Sequence, residues 1–223
     1  MRNYPTDENG KIHLNREKVL KKAEKYWRLR RFQDVVLSLS ALILLFPLMI
    51  LIGIVIMIDD PGPPLYVQKR CGRDGKLFRM LKFRSMYMDA DKKLEALAKV
   101  NEMDGPAFKI KNDPRITRVG KLIRRTSLDE LPQLWNVLCG NMSLVGPRPA
   151  LLSEVEQYDS YQRQRLYVTP GLTCYWQVQS DRYEMSFEDW VTLDLRYIYD
   201  RSFWTDWKII FLTIRIVVLG HGE

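Results

Sequence analysis

The chain has only two histidines, His13 and His221, and both lie near its ends. A Ser-His-Asp or Cys-His triad needs an internal histidine as base, so that chemistry is excluded. Cysteine is scarce as well: Cys71, Cys139 and Cys174 are far apart, odd in number and form no Cys-x-x-Cys pair. Neither a zinc site nor a disulfide framework is implied, and a reducing compartment is expected. No internal repeat or low-complexity tract occurs, and there is no second uninterrupted apolar run to match the first. Any catalysis must therefore use carboxylates, lysines and arginines, with a hard cation such as Mg²⁺ if a metal is needed.

What is present is basic and of modest size. The 223 residues fit one domain plus an appendage, and the net charge of +8 favours polyanions such as anionic lipid, nucleotide or nucleic acid. Residues 35–58 form a 24-residue run without a charge. As a helix it would be about 36 Å long, against a hydrocarbon core of about 30 Å. It starts too late and is too long for a cleaved signal peptide. Pro47 interrupts it near the centre and predicts a kink. Basic residues flank both sides: eight within 16–31 and seven within 69–84. Basic flanks belong on the cytoplasmic side, so a helix that dips in, bends at Pro47 and returns keeps both there. An ordinary bent spanning helix also fits, if the second basic set belongs to a folded domain. Residues 16–31 read as a basic amphipathic helix at the membrane surface, anchored by Tyr26 and Trp27, or as a solvated charged helix. Residues 203–219 are apolar but interrupted by Asp206, Lys208 and Arg215, which suits a helix on the domain or in the interface.

Beyond the rigid exit Asp59-Asp60-Pro61-Gly62-Pro63-Pro64, strand-like runs at 65–69 and 77–83 flank Gly72-Arg73-Asp74-Gly75 and predict a hairpin. Residues 90–100 look helical, and 116–123 lead into another helix. The expected fold is α+β, mainly helical with a small β-hairpin. Three parts are expected: a basic extension over 1–32, a membrane helix over 33–59 and a catalytic domain over 60–223.

The segment from Arg124 to Leu138 carries the most information. Ser127 and Glu130 have the spacing of a capping box, and Leu131, Leu134, Trp135 and Leu138 have that of a buried helical face. A helix over 127–139 is predicted, with Asp129 and Glu130 in its first turn, where the backbone N–H groups favour negative charge; Pro132 falls a little late for a first helical position, so a start one or two residues later also fits. Acidic residues are common there purely as caps. Here, however, Lys109, Lys111, Arg115, Arg118, Lys121, Arg124 and Arg125 lie just upstream, opposed only by Asp113. Two carboxylates in such a field could hold Mg²⁺ while arginines grip the phosphates it bridges. In Gly146-Pro147-Arg148-Pro149, two prolines restrict the backbone around Arg148, whose fork suits bidentate phosphate binding; a rigid turn with a solvent-facing arginine is the plainer reading. Lys82 and Arg84 fall on one side of an extended segment with Phe83 on the other.

At these residues the chain resembles the bacterial sugar transferase family, the monotopic phosphoglycosyl transferases. The shared motifs are Lys82-Phe83-Arg84-Ser85-Met86, Asp113-Pro114-Arg115-Ile116-Thr117, Thr126 through Leu134, Met142 through Pro149, and Pro170-Gly171-Leu172-Thr173. By motif order they cover roughly residues 30 to 219. The chain departs from the pattern at Thr169, usually basic, and at Gln179-Ser180, where a glycine is usual. The resemblance implies a re-entrant membrane helix broken at Pro47, interfacial helices and a catalytic domain on the cytoplasmic face of the bacterial inner membrane. It implies Asp129 as nucleophile, Glu130 as Mg²⁺ ligand, and Lys82, Arg84, Arg124 and Arg148 in substrate or phosphate binding. Asp194 is a further candidate metal ligand. The implied partners are a UDP-sugar, a polyprenol (undecaprenyl) phosphate, the lipid bilayer, downstream glycosyltransferases and a second copy in a homodimer, with no nucleic acid beyond the nucleotide. The implied reaction releases UMP and initiates glycan assembly. A different class also fits the charge: a non-enzymatic basic anchor for anionic lipid or nucleic acid, indifferent to Asp129.

Overall fold

The computed structural model describes residues 4–8, 10–90, 104–106, 110, 113–179 and 184–219, apart from the side chains of residues 23, 25 and 218. Most of the helix expected over residues 90–100, together with Lys109, Lys111 and Ser180-Asp181-Arg182, lies outside the described residues.

One long helix, α1 (Arg16–Asp59), dominates the first quarter of the chain. Asn15 starts it, its side chain accepting the Lys18 N–H at 3.0 Å. The separate surface helix expected over residues 16–31 is instead the first turns of α1. Those residues include strong helix formers, and the first proline inside the helix is Pro47, so nothing breaks the ladder before the apolar run. Among the described residues, Tyr26–Asp59 is the one stretch of helix long and apolar enough to cross a membrane. Its middle is bare: Ile43 is 70% and Leu44 79% exposed. Such a surface demands an apolar partner, which a bilayer supplies.

Both halves of α1 touch the rest of the chain. Near its start, Arg31 donates to the carbonyls of Val137 at 2.7 Å and Leu138 at 2.5 Å. Arg30 donates to Ser143 Oγ at 2.9 Å and to the Val145 carbonyl, while Asp34 accepts from Ser143 Oγ at 2.7 Å and the Leu144 N–H at 3.0 Å. Near its end, Ile52 and Ile56 form a small core with Phe83 and Ile123, against which Leu128 and Leu131 pack. Asp59 then accepts the Val119 N–H at 3.1 Å.

The predicted hairpin is present, as β1 (Leu65–Cys71) and β2 (Leu77–Phe83), antiparallel with Leu65 opposite Phe83 and Cys71 opposite Leu77. Helix α2 (Arg118–Arg125) follows, then a 3-10 turn at Leu128–Glu130 and helix α3 (Gln133–Cys139). The single helix expected over 127–139 is thus corrected to a turn plus a shorter helix. Ser127 takes a left-handed backbone (φ 55°) and makes no side-chain cap; Pro132 stands at the N-cap of α3 instead. The predicted buried face shifts with it. Trp135 is 53% exposed, whereas Gln133, Asn136 and Val137 are buried.

Asn136 explains why that face turns inward. Its amide accepts the Leu81 N–H at 2.9 Å and donates to the Arg79 carbonyl at 2.7 Å, pinning α3 to β2. Asn136→Ala would leave two partly buried backbone groups unpaired, so a loss of about 1–3 kcal/mol is expected, read by denaturation of the detergent-solubilised protein.

Two short strands, β3 (Ser143–Val145) and β4 (Gly171–Thr173), pair in parallel. Helices α4 (Leu152–Glu156) and α5 (Ser160–Arg163) lie between them in sequence, and α6 (Phe187–Asp200) and α7 (Phe203–Val218) follow. The main core gathers on α6, where Val191, Leu195, Tyr197 and Ile198 are fully buried. Ile12 and Leu14 of the N-terminal leader join this core. Leu14 N–H donates to Gln164 Oε1 at 2.6 Å, so the leader is stitched to the domain. Helix α7 buries Ile209 and Asp206 and leaves Trp204, Phe211 and Ile214 exposed, as expected for a helix packed on the domain by one face.

Candidate active site

The chain between β2 and α3 sets up the site. Thr117 caps α2, accepting the Gly120 N–H at 2.9 Å, while its own N–H donates to the Ser85 carbonyl at 3.1 Å. Gly120 allows this close docking, because a Cβ there would lie 2.0 Å from the Ser85 oxygen. Past α2, the left-handed Ser127 reverses the chain and the 3-10 turn presents Asp129 and Glu130 side by side. Asp129 is 7% exposed. From β2, Lys82 reaches across: its Nζ donates to Glu130 Oε1 at 3.2 Å and lies 4.0 Å from Asp129 Oδ2.

These groups open into a cleft of about 1640 Å³. Lys82, Arg84, Arg124, Asp129, Glu130 and Arg148, all singled out from the sequence, line its wall. They do not all do the same thing there. Arg84 turns to the end of α1, donating to the Asp60 carbonyl and lying 3.3 Å from Asp60 Oδ2. Arg148 sits with its guanidinium carbon 5.9 Å from the Trp176 ring centre, and Trp176 stacks on Trp190 at 4.2 Å. Arg115 also lines the cleft, but is clamped by Asp113 at 2.6 Å, and this pairing holds the Asp113 carboxyl below its ordinary range.

Asp194 lies apart from the cleft wall. It is fully buried, and its Oδ2 accepts from Arg165 Nε at 2.7 Å. The metal role expected of it gains no support from this placement: it anchors Arg165, which lines the cleft and donates to the Tyr158 hydroxyl at 2.9 Å. Pro47 sits inside α1, also away from the cleft. Among the described residues no group of three or more His, Cys, Asp or Glu could hold a metal ion.

Burial pushes the Asp194 carboxyl up to about 6 despite Arg165, and burial pushes Asp206 up to about 6 despite Arg30 and the Tyr197 hydroxyl 2.8 Å away. The ordinary value is 3.8, so between about pH 4 and 6 the folded chain binds more protons than the unfolded one. These two groups therefore make the fold less stable as pH rises through that window. Asp206→Asn should flatten the slope of stability against pH there, measured by denaturation at a series of pH values.

Among the cleft residues not assigned a role from the sequence, Arg70, Arg165 and Trp176 bear most on the site. Arg70 was legible in principle: residues 66, 68 and 70 share a strand face, and Tyr66 stands opposite Lys82. Arg165 carries no local signal, since Asp194 reaches it from α6; Trp176 opens the motif that departs from the pattern at Gln179-Ser180, but its stacking on Trp190 of α6 is not written in that motif.

The bacterial sugar transferase family model matches residues 25–220. Among curated proteins, a UDP-galactose-lipid carrier transferase of Erwinia amylovora is 45% identical over 87% of this chain and 41% of its own length. The UDP-glucose:undecaprenyl-phosphate glucose-1-phosphate transferase of Escherichia coli is 40% identical over 83% of this chain and 39% of its own length. The exopolysaccharide production protein ExoY of Rhizobium meliloti is 41% identical over 87% of both chains. The chain thus spans about two fifths of the first two relatives and most of the third. With the family model matching residues 25–220 and these identities all at or above 40%, the chain belongs to the bacterial sugar transferase family.

Proposed function

We propose that the chain is a phosphoglycosyl transferase that moves a sugar-1-phosphate from a UDP-sugar to undecaprenyl phosphate and releases UMP, initiating the assembly of a bacterial glycan. The observation that carries this reading is the convergence of Asp129, Glu130 and Lys82 with Arg124 and Arg148 in one cleft. The activities printed for the Erwinia and Escherichia relatives support it.

In the proposed reaction a carboxylate oxygen of Asp129 attacks the β-phosphorus. The bond from that phosphorus to the bridging oxygen breaks, and UMP carries the electron pair away. The acceptor's phosphate oxygen then attacks the same phosphorus and expels the Asp129 carboxylate. Phosphoryl transfer relies on positioning and charge stabilisation, which Lys82, Arg124 and Arg148 would supply at the non-bridging oxygens. Lys82, 3.2 Å from Glu130 and 4.0 Å from Asp129, also offsets the repulsion between the two carboxylates.

Mg²⁺ typically takes one or two carboxylates and completes its shell with substrate phosphates and water. The adjacent Asp129 and Glu130 fit that pattern, and the described residues offer no third protein ligand beside them. Glu130 would be its main protein ligand, and the ion would offset charge on the diphosphate. Glu130→Gln should shift the Mg²⁺ activation curve by roughly tenfold or more to higher concentration, measured as UMP release; an unchanged curve removes Glu130 as a ligand.

The re-entrant geometry belongs to the same proposal. Arg31 bonds at Leu138, and Ile52 joins the cluster that Leu131 packs against. Those two contact points on the domain are about 10 Å apart along a helical path, while a straight α1 would separate Arg31 and Ile52 by about 32 Å. A bend at Pro47 would shorten that separation and return the helix toward the face it entered, and the basic flanks would make that face the cytoplasmic one. The acceptor's tail then stays in lipid while its phosphate meets the cleft. Screening UDP-sugars for UMP release in detergent, with and without undecaprenyl phosphate, tests the reading. A basic anchor without activity would release no UMP from any of them.

A further inference from the structure

Arg70 is 8% exposed and lines the cleft, yet takes part in none of the ion pairs among the described residues. Its fork is held from two sides. Gln68 Oε1 accepts from Nε at 3.1 Å and Nη2 at 2.8 Å, and the Pro149 carbonyl accepts from Nη1 at 3.1 Å. The second contact ties it to the residue next to Arg148. Burial, and after it the like charge of Arg148, lower the Arg70 pKa to about 10. Glu154 and Glu130 act on Arg70 only through longer-range attraction and neither pairs with it, so a cation buried beside a second cation costs stability that an anionic ligand would offset.

The hairpin gives the cleft a direction. Its end at Leu65 and Phe83 adjoins the exit of α1, where Arg84 meets Asp60. Lys82, opposite Tyr66, reaches the carboxylates from the next register position. Arg70 stands opposite Phe78, four residues beyond Tyr66 along β1, or about 13 Å from the register position of Lys82. The lipid phosphate must enter from the α1 end. The soluble half of the substrate is left with the far end.

We propose that Arg70 and Arg148 form a phosphate subsite for the departing nucleoside monophosphate, gripping the phosphate that stays with uridine while its neighbour is transferred at Asp129. The subsite rests on the phosphoglycosyl transferase reading, and UMP is its ligand whatever the sugar. Two guanidinium forks on the leaving phosphate also stabilise the charge that builds there as the bond breaks.

The test is calorimetric titration of the full-length protein in detergent with UMP, in wild type, Arg70→Gln and Arg70→Lys. UMP affinity should fall by about 10- to 100-fold in Arg70→Gln, the range for a charged hydrogen bond to phosphate, and by less in Arg70→Lys, which keeps the charge and loses the fork. In turnover assays the KM for the UDP-sugar should rise while that for undecaprenyl phosphate holds within about twofold, a split that a merely structural loss would not produce. UMP binding indifferent to both substitutions, or a rise confined to the acceptor KM, overturns the proposal. Should Arg70→Gln fail to fold, the Arg70→Lys titration decides alone. A wild type that binds UMP through Arg70 but releases none from any UDP-sugar would refute the transferase reading and leave the subsite standing.

Discussion

Asp129→Asn is expected to lower UMP release from the correct UDP-sugar by about 10⁴-fold or more, to background, because the amide oxygen is a poor nucleophile toward phosphorus. The fold should survive. Asn is nearly the same size, and its neighbour Lys82 keeps its 3.2 Å contact with Glu130. Removing one of two adjacent anions also relieves repulsion, so the variant should melt at or above the wild-type temperature. Loss of activity in a folded protein separates a nucleophile from a helix-capping aspartate, whose loss would cost stability and spare the chemistry. The structure already weakens the capping reading, since the turn carrying Asp129 is a three-residue 3-10 segment with no side-chain cap from Ser127.

Gly171→Ala should be among the most damaging single-methyl changes at the described residues. A Cβ at Gly171 would lie 2.0 Å from the Gly146 nitrogen and 2.5 Å from the Val145 carbonyl carbon. Both are backbone atoms, so no side chain can swing aside. The contact joins β3 to β4 through Gly171 N–H to the Pro147 carbonyl at 2.9 Å and Gly146 N–H to the Thr173 carbonyl at 2.9 Å. Arg148 leaves this crossing directly, so separating the strands also displaces it from the cleft. Overpacking of ordinary cores costs about 1–3 kcal/mol, and a rigid backbone clash should exceed that. Thermal denaturation and recovery of soluble protein in detergent measure it, and a stable, active variant would show that the crossing can widen.

These two residues mark the border of what the sequence made legible. Asp129 and Arg148 stood out because their chemistry is local: an acidic couple beside a basic field, and an arginine between prolines. The hairpin was legible from alternation around a turn. The parallel pairing of β3 and β4 was not, because each strand is only three residues long and the glycines that permit it lie 25 positions apart. The helix expected over 127–139 failed for a related reason. Its amphipathic spacing was read without Asn136, whose pull toward the backbone of β2 rotates α3 and turns Trp135 outward. The long helix was legible in extent but not in continuity, since hydrogen bonding carries through the junction at residues 31–35 that charge patterning had marked as a boundary. Arg165 and its anchor Asp194 depend on α6 packing back on the chain, and no local pattern encodes that.

The account turns on a covalent bond between phosphorus and Asp129. Intact-protein mass spectrometry of the detergent-solubilised chain, incubated with Mg²⁺ and the active UDP-sugar but no lipid acceptor, tests it directly. A mass gain equal to one sugar phosphate, matched by one UMP per protein and absent in Asp129→Asn, is the predicted result. UMP release only when undecaprenyl phosphate is present, with the protein mass unchanged throughout, would contradict it.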